Sequence, residues 1–294
     1  MSLIEKALGK ARSTPVGALG ANVDPLETTG RRLALKSPSP RQAADPRIRV
    51  TEAMYETLGL RAPPAQEHQR AAEYREIKRR VVTDLRANDG ARVIVVASAL
   101  AGEGKSFTSA NLARSLALEP DHAVLLIDAD VIKPRISECF GVVTRPGLMD
   151  ALVDPTRNVE DMVLPTDIEG LSVLPAGAVS EHATEYFASD RMRDVLNQLR
   201  AVPNRIIVID TLPLLQTTEA RAIAPLAGQV LLVVRAESTQ QSAVEAALAV
   251  LGKLPNIKLV LNATVRTRLT RYLGHGYGYD YDYRLAGRSG GAGK

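Results

Sequence analysis

The chain has 294 residues, of which 45% are hydrophobic, so it can bury one sizeable core but not two. No apolar run reaches the ~20 residues that a spanning helix needs, and the amino terminus lacks the apolar stretch of a signal peptide. Cys139 is the only cysteine, which excludes a disulfide framework within the chain and favours a reducing compartment. Of the net charge of +4, residues 264–294 carry six Lys or Arg and two Asp, so the basic excess lies in the tail.

The first predicted element is a short amphipathic helix over residues 2–12, within a segment 1–14. Ser2 and Glu5 have the spacing of a capping box, and the apolar residues fall on one face: Leu3, Ile4, Ala7, Leu8 and Ala11. Such a helix is marginal alone in water. Two interpretations stay open: it docks on a membrane surface or partner, or it is a frayed end that rests on its own domain.

Residues 15–66 are predicted to be a proline-rich linker that contains one short helix near 51–59. A strongly helical pattern follows over 67–86. It places Tyr74, Ile77, Val81 and Leu85 on one stripe and leaves a basic face outside. We therefore expect this helix to open the main domain, residues 67–263, and to pack on its core.

From residue 92 onward, apolar strands alternate with helical stretches. This alternation predicts an α/β fold with a mostly parallel sheet and helices on both faces, in which ligands gather at the carboxyl ends of strands. The uniformly apolar strands suit burial on both sides. They are predicted at 92–98, 123–128, 171–174, 205–210, 229–235 and 257–262.

The first of these strands runs into Ala99-Leu-Ala-Gly-Glu-Gly-Lys-Ser106, which a helix over 105–117 follows. This nearly matches the phosphate-binding pattern G-x-x-x-x-G-K-S/T, with Ala99 in place of the first glycine. Lys105 is expected to reach the β and γ phosphates and Ser106 to hold Mg²⁺. The alternative is an ordinary strand-to-helix turn. The residues predicted to bind the nucleotide here are Ala101, Gly102, Glu103, Gly104, Lys105, Ser106 and Phe107.

Three acids stand at predicted strand ends. Asp128 and Asp130 close the strand expected to neighbour the phosphate loop, and Asp210 occupies the position of a Walker B acid. A lone Asp after a strand is more often a helix cap or turn residue, but three in this order favour a metal-nucleotide site. Since Mg²⁺ needs only one or two carboxylates beside phosphates and Ser106, a spare carboxylate is available as a base, and Asp128 is the candidate.

The tail places five of the eight tyrosines in twelve residues: Tyr272, Tyr277, Tyr279, Tyr281 and Tyr283. Their alternation is compatible with an edge β-strand or with stacking on single-stranded nucleic acid, but the neighbouring glycines favour an accessible peptide. As phosphate acceptors, four or five tyrosines would change the charge from +4 to about −4, since each phosphate adds about −1.5 to −2. A sticky tail without function is the remaining alternative.

Taken together, these motifs resemble the bacterial tyrosine autokinases of capsule and exopolysaccharide systems, and most closely the exosortase-associated branch. The resemblance implies a P-loop NTPase with a deviant Walker A motif, similar to MinD and ParA. It implies ATP-dependent phosphorylation of the tail tyrosines, with regulation of exopolysaccharide polymerisation and export. Asp128 would be the base and Asp130 and Asp210 would serve Mg²⁺, while Asn262 resembles the adenine-contacting Asn of related ATPases.

The resemblance also implies partners: a chain-length or co-polymerase type protein of the inner membrane, further copies of the chain in a ring, a tyrosine phosphatase, and no nucleic acid. The location implied is cytoplasmic, at the inner membrane through a separate membrane partner. Three positions depart from the family pattern. Ile132 stands where an Arg is common, Leu212 replaces one proline, and Ala72 with Glu73 shifts the helical E-x-x-R-x-x-R/K pattern out of register.

Two competing functions remain from the sequence. A partition or division type ATPase would use nucleotide as an assembly switch, but such proteins usually carry a further lysine where this chain has Leu100. A binder of nucleic acid or polysaccharide with a vestigial ATPase site would rely on the tail alone. Phosphate transfer to the protein would indicate the kinase, ATP hydrolysis alone the switch, and neither activity the binder.

Overall fold

A computed structural model describes residues 47–60, 64–87, 89–254 and 256–264. The predicted helix over residues 2–12 and the five tail tyrosines lie outside the described residues. None of the helices in the described ranges is both long enough and apolar enough to cross a bilayer.

In the described part of the chain, seven strands form one sheet in the order β3-β4-β2-β5-β1-β6-β7. β3 pairs antiparallel with β4, and all other pairs are parallel. The predicted α/β fold and its six apolar strands are thereby confirmed, and only the two-residue β3 was not predicted. The strands are β1 Val93–Ser98, β2 Ala123–Asp128, β3 Leu164–Pro165, β4 Leu171–Leu174, β5 Arg205–Asp210, β6 Gln229–Arg235 and β7 Ile257–Asn262.

One expectation about strand order is wrong. β2 does not lie beside β1, because β5 is inserted between them and pairs with both. The chain leaves β1, crosses over through a helix and returns one place further along the sheet, which leaves a gap that β5 fills later. Uniformly apolar strands carry no pattern that distinguishes one neighbour from another, so the sequence could not reveal this insertion.

Helices cover both faces of the sheet, and the buried side chains form two hydrophobic cores, one on each face, where length and composition predicted a single one. α2, α3 and α4 contribute to one core, and α5 to α9 to the other. Short 3-10 helices span Asp89–Arg92, Val159–Met162 and Ala224–Leu226. The α-helices are α1 Glu52–Thr57, α2 Pro64–Ala87, α3 Lys105–Ala117, α4 Arg135–Cys139, α5 Leu148–Val153, α6 Ala183–Ala188, α7 Asp190–Arg200, α8 Glu219–Ile223 and α9 Gln241–Leu251.

α2 packs as its apolar stripe predicts. Tyr74 and Val81 are buried, and Ile77 and Leu85 pack beside them at the edge of the core. On the outer side, the guanidinium groups of Arg79 and Arg80 pair with Glu76 and remain well exposed. The predicted basic face is therefore present.

Residues 47–60, which lie within the predicted linker, pack on the same face as α2 and α3. Val50, Leu58 and Leu60 are buried in that core, and the amide of Ile48 donates to the carbonyl of Pro165 beside the short strand β3. Asn111 of α3 donates to the carbonyl of Leu58 at 3.1 Å. This part of the linker thus contributes to the hydrophobic core, which its prolines and weak periodicity do not indicate.

Candidate nucleotide-binding site

The glycine-rich loop connects β1 to α3 and contains two glycines with left-handed backbone. Gly102 has φ +80°, and Gly104, the residue before α3, has φ +96°. A Cβ atom on Gly104 would lie 2.0 Å from Nδ2 of Asn262, so a larger residue meets both strain and a clash there. Ala99, which replaces the first glycine of the pattern, has no positive φ. The alanine at this position therefore does not strain the backbone of the loop.

α3 begins at Lys105 without a side-chain cap from Gly104. The first amide groups of a helix have no partner inside the helix, and they lie at the positive end of its dipole. A 13-residue helix that starts directly behind a glycine loop therefore offers an anion site for phosphate oxygens. This is the arrangement that the sequence predicts for residues 101 to 107.

Residues from distant parts of the chain hold this loop in place. The carboxylate of Glu103 accepts from the amide of Leu100 at 2.9 Å and from the hydroxyl of Thr239. Nδ2 of Asn262 donates to the carbonyl of Glu103 at 2.9 Å, and Arg235 donates to that of Gly102 at 3.2 Å. Asn262, which the resemblance assigns to the adenine, thus lies beside the loop. Arg235 and Thr239 were missed, although Arg235 ends β6 and Thr239 follows four residues later, and a position at the carboxyl end of a strand is a usable signal.

Lys105 is buried among the acids of the site. Its Nζ donates to Oγ of Ser98 at 3.1 Å, and 8% of the residue is exposed. Burial lowers the pKa of Lys105, while the charges of Asp210, Asp130 and Glu103 oppose that shift. The side chain that is expected to reach the phosphates therefore lies beside Asp130 and Asp210, two of the three predicted acids.

Asp210 ends β5 and is fully buried. Its Oδ1 accepts from the hydroxyl of Ser109 at 2.9 Å, whereas its Oδ2 has no hydrogen-bond partner among the described residues. Burial raises the pKa of Asp210 to about 6, against the hydroxyl of Ser106 and the charge of Lys105, which lower it. Because an unsatisfied buried carboxylate oxygen is costly, Oδ2 is suited to a cation that arrives with a nucleotide.

Asp128 ends β2 and lies opposite Asp210 on the neighbouring strand. Its Oδ2 accepts from both the amide and the hydroxyl of Ser137, each at 2.7 Å. Burial, and then the charge of Asp210, raise the pKa of Asp128 to about 7. Ser137 is the third residue of α4, nine residues after Asp128, and nothing in the sequence marked it as a partner of Asp128.

Asp130 is the one of the three acids with exposed surface, since it is half-buried while Asp128 and Asp210 are not exposed at all. Its Oδ1 accepts from the amide of Lys133 at 2.8 Å. Burial raises the pKa of Asp130, whereas the amide of Lys133 and the charge of Lys105 lower it. The structure therefore brings Asp128, Asp130 and Asp210 together with Lys105 at the carboxyl edge of the sheet.

The predicted metal set of Ser106, Asp130 and Asp210 is compatible with Mg²⁺ in a particular way. Within the described ranges, no group of three or more His, Cys, Asp or Glu could hold a metal ion by itself. Mg²⁺ usually keeps several waters and binds one or two carboxylates beside substrate phosphates. The unpartnered Oδ2 of Asp210 fits such a mixed set, with a hydroxyl from Ser106 nearby.

Phe107 differs from its predicted role in one respect. Its ring packs against Tyr74, with centroids 6.4 Å apart, and beneath the guanidinium of Arg70 at 5.2 Å. A Cβ atom on Gly59 would lie 2.1 Å from the ring. Because this packing engages the side chain, only the backbone amide of Phe107 is left for a nucleotide contact.

Comparison with protein families places this site in a known context. Residues 91–266, more than half of the chain, match the family model described as an AAA domain. The match begins just before β1 and ends just after β7, so it includes the glycine loop and all three acids.

Among curated proteins, the chain is 35% identical over 150 residues to the putative tyrosine-protein kinase EpsB of Ralstonia nicotianae, covering 51% of this chain and 20% of EpsB. It is 30% identical over 167 residues to the putative tyrosine-protein kinase CapB of Staphylococcus aureus, covering 57% and 72%. It is 34% identical over 151 residues to the succinoglycan biosynthesis transport protein ExoP of Rhizobium meliloti, covering 50% and 19%. The chain thus spans about a fifth of the length of EpsB and ExoP.

Among solved structures, the VpsO kinase domain superposes with a TM-score of 0.58 and 30% sequence identity, covering 69% of this chain and all of that one. The likeness therefore extends over a whole kinase domain. With the AAA-domain match and the coverage of CapB, it shows that the chain belongs to the bacterial tyrosine-protein kinases, a family of AAA-type P-loop proteins.

Proposed function

We propose that this chain is an ATP-dependent protein-tyrosine kinase that phosphorylates the tyrosines of its own carboxyl-terminal tail. One observation carries the proposal: the unpartnered buried Oδ2 of Asp210 lies at the same sheet edge as the glycine loop and the other two acids, Asp128 and Asp130. A phosphate-binding loop with a place for a cation and a separate carboxylate has the parts that phosphoryl transfer to a hydroxyl needs.

Each residue has a role that follows from its surroundings. The amide groups at the start of α3 and the ammonium of Lys105 bind and orient the phosphates. Ser106, Asp130 and Asp210 would hold Mg²⁺, which when bound offsets the negative charge of the transferring phosphoryl group. Asp128, with a pKa of about 7, is suited to accept the proton of the attacking tyrosine near neutral pH. Asn262, next to the loop, is the proposed adenine contact.

The proposed acceptors are Tyr272, Tyr277, Tyr279, Tyr281 and Tyr283. β7 ends at Asn262, which contacts the loop, so the tail departs from the edge of the site. Fifteen extended residues span at most about 50 Å, and they bring Tyr277 within reach of its own site or of that of a neighbouring copy. This supports the proposal that the chain is both enzyme and substrate.

Incubation with Mg-ATP followed by intact mass measurement tests the proposal. Successive additions of one phosphate, located in the tail by fragmentation, are the expected result. Lys105→Met abolishes them, whereas Lys253→Met, on an exposed turn after α9, serves as the matched control and leaves them unchanged. ATP hydrolysis without a mass gain would instead support the nucleotide switch, and neither activity would support the binder.

A mixing experiment separates transfer within one chain from transfer between chains. The Lys105→Met chain retains all acceptor tyrosines, and a second chain with its five tail tyrosines changed to Phe retains the catalytic residues. Phosphate on the Lys105→Met chain in the mixture means transfer between copies, which requires that two copies of the chain associate. If the Lys105→Met chain gains no phosphate in the mixture while the parent chain phosphorylates its tail, the transfer takes place within a single chain.

The wider role we propose is regulation of exopolysaccharide polymerisation and export at the inner membrane, together with a co-polymerase type membrane protein and an opposing tyrosine phosphatase. The similarity to ExoP, a succinoglycan biosynthesis transport protein, supports the polysaccharide part of this role. Affinity purification from membranes of the native cell, with the Lys105→Met chain beside the parent, tests it. Recovery of a polysaccharide co-polymerase with both chains is expected, and its absence would leave only the kinase activity.

A further inference from the structure

β7 is the outer edge of the sheet, and among the described strands it pairs only with β6. The carbonyl groups of Asn256 and Asn262 accept from amides of the β6 side. In a parallel pair, alternate residues direct their backbone polar groups to the same neighbour. Ile257, Leu259 and Leu261 therefore direct theirs outward, where the described residues provide no strand to pair with them.

The outer edge of β7 is apolar and lacks the residues that usually prevent another strand from pairing with an edge. Leu259 and Leu261 are 58% and 61% exposed, and Val250 of the adjacent helix α9 is 38% exposed. Natural edge strands are usually protected by lysine, proline or a bulge. The single charged residue of β7 is Lys258, and its ammonium is already engaged by Asp84 and Gln229. Nothing on β7 itself prevents the addition of another strand.

The chain that follows β7 contains a segment suited to that edge. Tyr277, Tyr279, Tyr281 and Tyr283 alternate with glycine and aspartate, and a period of two places all four on one face of a strand. The fourteen residues between Asn262 and Tyr277 leave ample length for the chain to reverse direction. Tyrosine is also among the residues that strands prefer, and its ring can cover apolar side chains on the neighbouring strand and remove their surface from water.

We infer that residues 277–283 pair with the outer edge of β7 as an added antiparallel strand, which lays the tyrosines over Leu259 and Leu261. The backbone groups of the tail segment then satisfy the outward amides and carbonyls of β7, and the rings cover the two exposed leucines. A tethered segment meets this edge at a high effective concentration, so modest contacts are enough to hold it. A second copy of β7 offers only two leucines and no such tether, which favours the tail as the occupant.

The pairing has a regulatory consequence, which rests on the proposed function. Tyrosines held against β7 are withheld from a catalytic site at the carboxyl end of the sheet, so pairing and phosphorylation compete for the same residues. A phosphate on any of them places about −1.5 to −2 charges against apolar leucines. The phosphorylated segment therefore leaves the edge, and the first phosphorylation exposes the remaining tyrosines.

Hydrogen exchange of the full-length chain without nucleotide tests the pairing. The outward amides of Leu259 and Leu261 exchange at least about tenfold more slowly in the parent than in a variant with Tyr277, Tyr279, Tyr281 and Tyr283 changed to Ser. Changing the same four residues to Phe keeps the slow exchange, since Phe retains the aromatic packing. Because no phosphate transfer is involved, failure of this experiment is independent of failure of the kinase assay.

A complementary change on β7 replaces Leu259 and Leu261 with Lys, and Leu118→Lys is the matched control because Leu118 is 73% exposed at the end of α3. The β7 variant increases proteolysis of the tail at least about threefold, and the control does not. Equal exchange in the parent and the tyrosine-to-serine variant would overturn the inference. So would slow exchange in both that depends on protein concentration, which would identify a second copy as the occupant.

Discussion

The hydroxyl of Ser109 lies 2.9 Å from Oδ1 of Asp210 and 3.0 Å from the carbonyl oxygen of Lys105. One side chain in the second turn of α3 thereby connects the loop lysine to the acid that ends β5. The contact fixes one oxygen of Asp210 and leaves Oδ2 without a protein donor among the described residues. We interpret Ser109 as the residue that orients Asp210 for a cation.

Ser109→Ala is expected to weaken magnesium-dependent binding of ATP by about tenfold, because hydrogen bonds to charged groups contribute about 1.5–3 kcal/mol. Calorimetric titration of Mg-ATP measures the change. Ser115→Ala is the control, since Ser115 is a buried serine of the same helix that does not contact Asp210. Equal affinities for parent and Ser109→Ala would remove the orienting role.

The two loop glycines should differ in their tolerance of alanine. Gly102→Ala adds only the strain of a left-handed backbone, about 1–2 kcal/mol, because nothing lies within 4 Å of the new Cβ atom. Gly104→Ala adds the same strain and a clash with Asn262. Thermal unfolding should show a larger loss of stability for Gly104→Ala than for Gly102→Ala. Adding Asn262→Ala to the Gly104→Ala chain should restore part of that lost stability. Equal losses for the two glycines would contradict the close approach of Asn262.

Asp128 predicts a dependence of stability on pH. Its folded pKa of about 7 lies above its ordinary value of 3.8, so the folded chain binds the proton more tightly than the unfolded chain. The free energy of unfolding therefore falls as pH rises from about 4 to 7. The side chain of Asp128→Asn does not titrate, so its free energy of unfolding at pH 8 should be higher than that of the parent, by about 1–3 kcal/mol.

Urea unfolding without nucleotide at pH 5 and pH 8 measures this effect. Asp121→Asn, in an exposed turn, controls for the removal of one negative charge. Part of the dependence should persist in Asp128→Asn, because burial also raises the pKa of Asp210, to about 6. A parent that is more stable at pH 8 than at pH 5 would show that Asp128 is already ionised in the folded chain at pH 5. Asp128→Asn should also lose tail phosphorylation while remaining folded.

A substitution at Phe107 distinguishes a role of its ring in packing from a role in nucleotide binding. Phe107→Ala should lower the free energy of unfolding by about 2–3 kcal/mol, less than the 3–5 of a fully buried Phe, since this ring is half-buried. The affinity for nucleotide should change by less than about twofold, because the ring faces Tyr74 and Gly59. Denaturant unfolding and nucleotide titration of one preparation measure both quantities. A large loss of affinity without a loss of stability would place the ring at the nucleotide.

Local patterns in the sequence were sufficient for the strands and for the place of most candidate site residues at the strand ends and in the loop. The apolar runs before Asp128 and Asp210 predicted both strands, and the glycines before Lys105 predicted the loop, because backbone freedom and burial leave direct traces in residue type. The parallel sheet then implies that these strand ends lie at one edge. For that reason Lys105, Asp130 and Asp210 could be assigned together before any contact between them was known.

Contacts between residues far apart in the sequence required the folded chain. Ser137 and Thr239 are ordinary hydroxyl residues until packing brings them to Asp128 and Glu103, and only the fold shows that the ring of Phe107 packs against the core. The identity of the edge strand likewise depends on the order β5-β1-β6-β7, which no single strand encodes. The sequence by itself determined which elements form and which chemical groups end them, since both depend on neighbouring residues. The tertiary structure decided which groups meet, because pairing and packing depend on the whole sheet.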